Sequence, residues 1–62
     1  MSFENFLEGL TILNSCLVTG FRFESKMSHY LIYKDPSKAQ SLRLKSLGFT
    51  QAHMNEWSYA HA

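Results

Sequence analysis

Four side chains in this 62-residue chain are cysteine or histidine, the usual zinc ligands and frequent nucleophiles and bases: Cys16, His29, His53 and His61. A zinc site needs such ligands clustered at short spacings, as in CxxC or HxxxH. Neither pattern occurs, and the two nearest histidines, His53 and His61, are eight residues apart. No metal site is expected. A cysteine nucleophile needs a neighbouring base and an electropositive, partly open setting. Cys16 lies in an apolar helical pattern with no cation nearby, so it reads as a packing or contact residue. The acids Glu4, Glu8, Glu24, Asp35 and Glu56 are scattered. Only Glu4 and Glu8 share a face, at i and i+4, and that face is the wet side of a helix. A phosphate-binding loop needs glycines at fixed offsets so that backbone N–H groups can cradle oxygen. Gly9, Gly20 and Gly48 stand apart, and the last two follow helical patterns as stop signals. A chain this short also has little room for a closed pocket of about 300 Å3. Neither catalysis nor a cofactor is expected.

The stretch FRFESKMSHYLIYK, residues 21–34, combines aromatic with basic residues. Such hairpins can follow a nucleic-acid backbone and stack bases. Charge is unevenly placed: residues 1–20 carry −2, residues 21–48 carry +4 and residues 49–62 carry −1, for a net +1. Arg22, Lys26, Lys34, Lys38, Arg43 and Lys45 all fall in the middle segment. Dedicated nucleic-acid binders are more basic, often above pI 9, whereas this chain has pI ≈ 7.9. Nucleic-acid binding by the hairpin and the second helix is therefore the alternative reading rather than the first.

Local patterns define the elements that hold these residues. Phe3, Phe6, Leu7, Leu10, Leu13 and Leu17 recur at helical spacing, predicting a helix over 3–18 with Ser2 as N-cap and Gly20 as terminator. Gly9, Ile12 and Cys16 form a minor second stripe on that helix. Residues 21–24 alternate apolar and charged side chains, as a strand does, and pair with 29–33. With a loop near 25–28, Glu24 opposes His29, Phe23 opposes Tyr30 and Phe21 opposes Ile32. Asp35-Pro36 then reads as the N-cap and first residue of a helix over 36–47, ended by Gly48. Its stripe is Ala39, Leu42 and Leu47, with Leu44 off it. Residues 56–60 alternate as a strand around Trp57 and Tyr59, and 49–52 supply a fourth strand in the fuller reading.

The expected fold is α+β: one compact domain over residues 1–62, with a small antiparallel sheet and two helices, in the order α-β-β-α-β or, with the fourth strand, α-β-β-α-β-β. Two helices cover one sheet face only. Tyr30, Leu31, Ile32 and Tyr33 are consecutive and apolar, so they cannot all point into one core. Leu31 and Tyr33 then face outward. A chain of this size has a thin stability margin, and apolar surface in excess marks a contact site. The function that follows is a small non-catalytic protein-binding module, an inhibitor or regulator acting by steric or competitive docking. Small inhibitors from phages and mobile elements share this size and lack of catalytic equipment. Arg22, Leu31 and Tyr33 form the expected contact face, and Lys34, Lys38 and Lys45 steer it to an acidic partner. Gly9, Ile12 and Cys16 are the expected face for self-association into a homodimer. One thiol, no apolar run of about 20 residues and no basic leader point to a cytoplasmic protein with no membrane contact.

Overall fold

Sequence punctuation divides the chain into six elements, and the computed structural model describes them over residues 3–61. They are α1 (Phe3–Ser15), β1 (Val18–Glu24), β2 (Met27–Ile32), α2 (Lys38–Leu47), β3 (Phe49–His53) and β4 (Glu56–Ala60). The expected α+β order with the fourth strand is the one found. All strands are antiparallel neighbours in the order β1-β2-β4-β3. Thus α2 carries the chain from β2 to the far edge, and β4 returns to the middle. Among the described residues no helix is long and apolar enough to cross a membrane. The Ser2 cap lies outside the described residues.

Alternation along the strands sorts side chains onto two faces. Tyr30, Ile32, Phe49, Trp57 and Tyr59 share one face and are buried with Leu13 and Cys16 of α1 and Leu44 and Leu47 of α2. Both helices therefore pack on this face. Trp57 is a core residue, as its alternation with Ser58 and Tyr59 suggests. Burial pushes the Tyr30 phenol above its ordinary value.

The first hairpin is tighter than expected. Glu24 pairs with Met27, leaving Ser25-Lys26 as a two-residue turn, so Phe23 faces Ser28, Arg22 faces His29 and Phe21 faces Tyr30. Ser25 takes φ 52° at the first turn position, where glycine is usual. The register moves by two residues, an even step, so every side chain keeps its expected face.

The first helix stops at Ser15 rather than running to 18. The N–H groups of Cys16 and Leu17 bond to the carbonyls of Leu13 (2.9 Å) and Asn14 (3.1 Å). Leu17 then takes φ 59° and turns the chain into β1. Gly20 is no terminator; it sits inside β1 opposite Leu31. The helix is also rotated relative to expectation. Gly9, Leu13 and Cys16 are buried and Ile12 packs against the core, whereas Phe3, Leu7 and Leu17 are exposed. The cause is Gly9: it lets the Phe49 ring lie where a Cβ would overlap it. The minor stripe is thus largely core: Gly9 and Cys16 are buried and offer no surface for self-association, and Ile12 is half-buried against the core.

The second helix begins at Lys38. Ser37, not Asp35, is its N-cap: its hydroxyl accepts from Gln40 N–H (3.2 Å), and the Gln40 side chain accepts from Ser37 N–H (3.1 Å). This reciprocal capping box satisfies two otherwise unpaired donors, which a cap at Asp35 would not. Pro36 consequently precedes the helix. Its buried residues are Leu44 and Leu47; Ala39 and Leu42 are exposed. Gly48 ends it as expected, at φ 107°. Glu8 of α1 accepts a hydrogen bond from Arg43 Nε of α2, which holds the Glu8 carboxyl below the ordinary carboxylate range.

Candidate functional site

The sheet face away from the helices is uncovered, and the register assigns its residues. Gly20 and Leu31 are opposite each other, as are Arg22 and His29, and Leu31 and Glu56. Gly20 has no side chain, and a Cβ there would meet open space. The result is a depression of about 270 Å3, lined by Gly20, Phe21, Arg22, His29, Leu31 and Glu56. That volume lies just below the range in which drug-sized molecules are enclosed. It suits one inserted side chain.

Leu31 is 47% exposed beside this depression, and Tyr33, just past the end of β2, is 76% exposed. Tyr33 is held there by its backbone: its N–H bonds to Leu17 O (2.9 Å). Charges border the apolar centre. Glu24 lies 3.6 Å from Arg22 and 3.1 Å from His29 Nε2. Ser58, small and flanked by His29 and Thr50, is buried within the sheet and donates to Thr50 O at 3.4 Å.

Of the residues singled out in the sequence, the structure brings together Arg22 and Leu31, with Tyr33 at the end of the same strand. It separates Lys38 and Lys45 from them. Lys38 and Lys45 are at the two ends of α2, in the layer on the other side of the sheet, and Lys34 is in the β2–α2 connection.

A second cavity, also about 270 Å3, lies on the helix side between α1 and β1, lined by Phe6, Leu10, Asn14, Val18, Phe21, Ser28 and Tyr30. At its floor the Ser28 hydroxyl and His61 Nε2 are 2.7 Å apart, with the imidazole packed edge-on to Phe6. Sequence reading assigns His61 no role beyond that of a rejected metal ligand. The signal that places it is the ladder: His61 N–H bonds to Lys26 O at 2.6 Å, which extends the β4 pairing by one residue. No carboxylate is bonded to His61 among the described residues, so this pair lacks the orienting acid of a hydrolytic triad. Cys16 is buried, its sulfur 3.9 Å from Gln40 Oε1. No group of three or more His, Cys, Asp or Glu side chains among the described residues could hold a metal ion. Comparison with known proteins finds no matching family model, no matching curated protein and no matching solved structure.

Proposed function

We propose that this chain is a non-catalytic docking module that binds another protein through the open face of its sheet. One observation carries the reading: Leu31 lies exposed at the Gly20 depression, on the side of the sheet that neither helix covers, and the exposed Tyr33 follows just past the end of the same strand. Apolar and aromatic side chains ringed by charge have the anatomy of a contact centre and its rim. The occupant that fits is a protein segment inserting one apolar side chain over Gly20. Its carrier would be acidic overall, because every Lys and Arg of this chain lies between residues 22 and 45. Lys38 and Lys45 would then speed the encounter without touching the partner, and Lys34 would do so from beside Tyr33. Binding of this kind regulates or inhibits by occupying a surface. A nucleic-acid ligand fits less well, because Glu24 and Glu56 interrupt the positive charge on this face.

Gly20→Leu tests the reading. Gly20 has an ordinary strand conformation with free space above it, so the substitution leaves the fold intact and gains up to about 1 kcal/mol from the lost backbone freedom. It fills the depression. Wild-type and Gly20→Leu chains serve as paired baits in extracts of the native organism, with and without nuclease and over a salt series. The expected result is a protein retained by the wild type, insensitive to nuclease and lost with Gly20→Leu. Equal retention by both chains contradicts the reading. So does a nuclease-sensitive ligand whose affinity falls steeply with salt, at a log–log slope near −0.9 per duplex phosphate contacted.

A further inference from the structure

The hydrogen-bond phase of the sheet fixes which backbone groups β1 turns outward. Ile32 N–H bonds toward β4, to Asn55 O, and Tyr33 N–H bonds toward the β1 side, to Leu17 O, both at 2.9 Å. These directions alternate along a strand. Met27, His29 and Leu31 therefore bond toward β1, and their partners Glu24, Arg22 and Gly20 bond back. That leaves the N–H and C=O groups of Phe21 and Phe23 pointing away from the sheet, at an edge with no strand beside it.

The two edges of the sheet differ. The outer strand β3 has five residues and is interrupted between Gln51 and His53. β1 has seven, and its irregularity between Val18 and Gly20 leaves residues 20–24 in regular register. Natural edges are normally blunted by bulges or charge; here the bulge is confined to the start of the strand, and residues 20–24 carry one cation and one anion, Arg22 and Glu24. Phe21 and Phe23 are on the helix-side face yet 66% and 64% exposed, because the helices do not reach over them. On α1, Phe3 and Leu7 share a flank with the cavity-lining Leu10 and Asn14, at about 100° per residue. Both are exposed. A strand added beside β1 would give Phe23 an apolar neighbour directly opposite and Phe21 one on the diagonal.

We propose that β1 pairs antiparallel with β1 of a second copy of this chain, about a two-fold axis at Phe23. Charge selects both the partner and the register. With the axis at Phe23, Arg22 lies opposite Glu24 of the second copy and Glu24 opposite its Arg22. These are non-hydrogen-bonded positions, where side chains approach most closely. The two Phe23 residues exchange backbone hydrogen bonds at the centre. An axis at Arg22 would oppose two like charges, and an axis at Phe21 would set Arg22 against Gly20. The sequence Arg22-Phe23-Glu24 is thus self-complementary in one register, as an isologous interface requires. This edge shares Arg22 with the depression but not Gly20, Leu31 or Tyr33, and its readout is self-association alone, so its failure leaves the open-face reading standing.

Sedimentation equilibrium of the purified full chain, from micromolar to millimolar concentration, tests the proposal. The wild type is expected to show a concentration-dependent dimer. Arg22→Glu and Glu24→Arg, each alone, should weaken dimerisation by about tenfold or more, since two attractive cross-strand pairs become repulsive. The double variant should regain it. Mixing the two single variants should give a heterodimer, because one brings two acids and the other two cations. Phe23→Lys sets like charges at the axis and should also give a monomer. Circular dichroism melts establish that each variant is folded. The proposal is overturned by a wild type that stays monomeric, which is also the result if the edge serves a peptide of another protein. It is equally overturned by single variants that associate as tightly as the wild type, or by a mixture that stays monomeric.

Discussion

Leu17 sits at φ 59°, a conformation that costs an L-residue roughly 1 kcal/mol and that glycine adopts freely. Its side chain is exposed, so little packing offsets that cost. Leu17→Gly should therefore stabilise the fold by about 0.5–1 kcal/mol, read as a higher midpoint in urea at unchanged slope. A lower midpoint would mean that the Leu17 side chain contributes packing its exposure hides. The three glycines divide the remaining work at this scale. Gly9 admits the Phe49 ring, Gly48 takes the left-handed position that ends α2, and Gly20 leaves the dent in the open face. Only the second of these roles is written in local sequence. A terminating glycine is recognised by the helix before it, whereas Gly9 and Gly20 matter because of residues 40 and 11 positions away, Phe49 and Leu31.

At the scale of elements, the two helices are joined to each other by the Glu8–Arg43 pair as well as by their common core. The folded Glu8 carboxyl titrates below its unfolded value, chiefly through the Arg43 hydrogen bond. The pair's contribution is present above the ordinary carboxylate range and is lost as pH falls through the lowered value. Glu8→Gln should thus remove part of the acid sensitivity in that window while changing stability at neutral pH only slightly, because the pair is exposed. Thermal melts of both chains across that window check it, and identical acid profiles would deny the pair any role. The strands were the most legible elements. Residues 21–24 and 56–60 alternate cleanly, and a register error of two residues in the first hairpin costs nothing in facing. Helix α1 was legible in existence but not in rotation. Periodicity identifies which residues share a stripe; it does not say which of two competing stripes faces inward. The larger stripe is split: Leu13 is core and Phe6 and Leu10 pack against it, but Phe3, Leu7 and Leu17 are exposed, while Gly9 and Cys16 of the smaller stripe are buried, with Gly9 in close approach to Phe49. The start of α2 was misplaced for a related reason: Asp35-Pro36 is a strong pair signal, but Ser37 with Gln40 satisfies both donors at once.

For the whole molecule the decisive feature is coverage. Four strands present two faces and two helices cover one of them, leaving even part of that face bare over β1. The sequence indicated this imbalance through the run Tyr30-Leu31-Ile32-Tyr33, in which Tyr30 and Ile32 are buried and Leu31 and Tyr33 exposed. It did not indicate the placement of the lysines, since Lys38 and Lys45 are near the strand in sequence but on the far layer in space. The measurement that bears most directly on the docking role is site-specific photo-crosslinking in the native organism, with the reactive residue at position 31, 33, 38 or 45 in turn. Positions 31 and 33 are predicted to give one shared protein adduct, and positions 38 and 45 none. Adducts formed mainly from the α2 positions, or to nucleic acid alone, would contradict the assignment of binding to the open face.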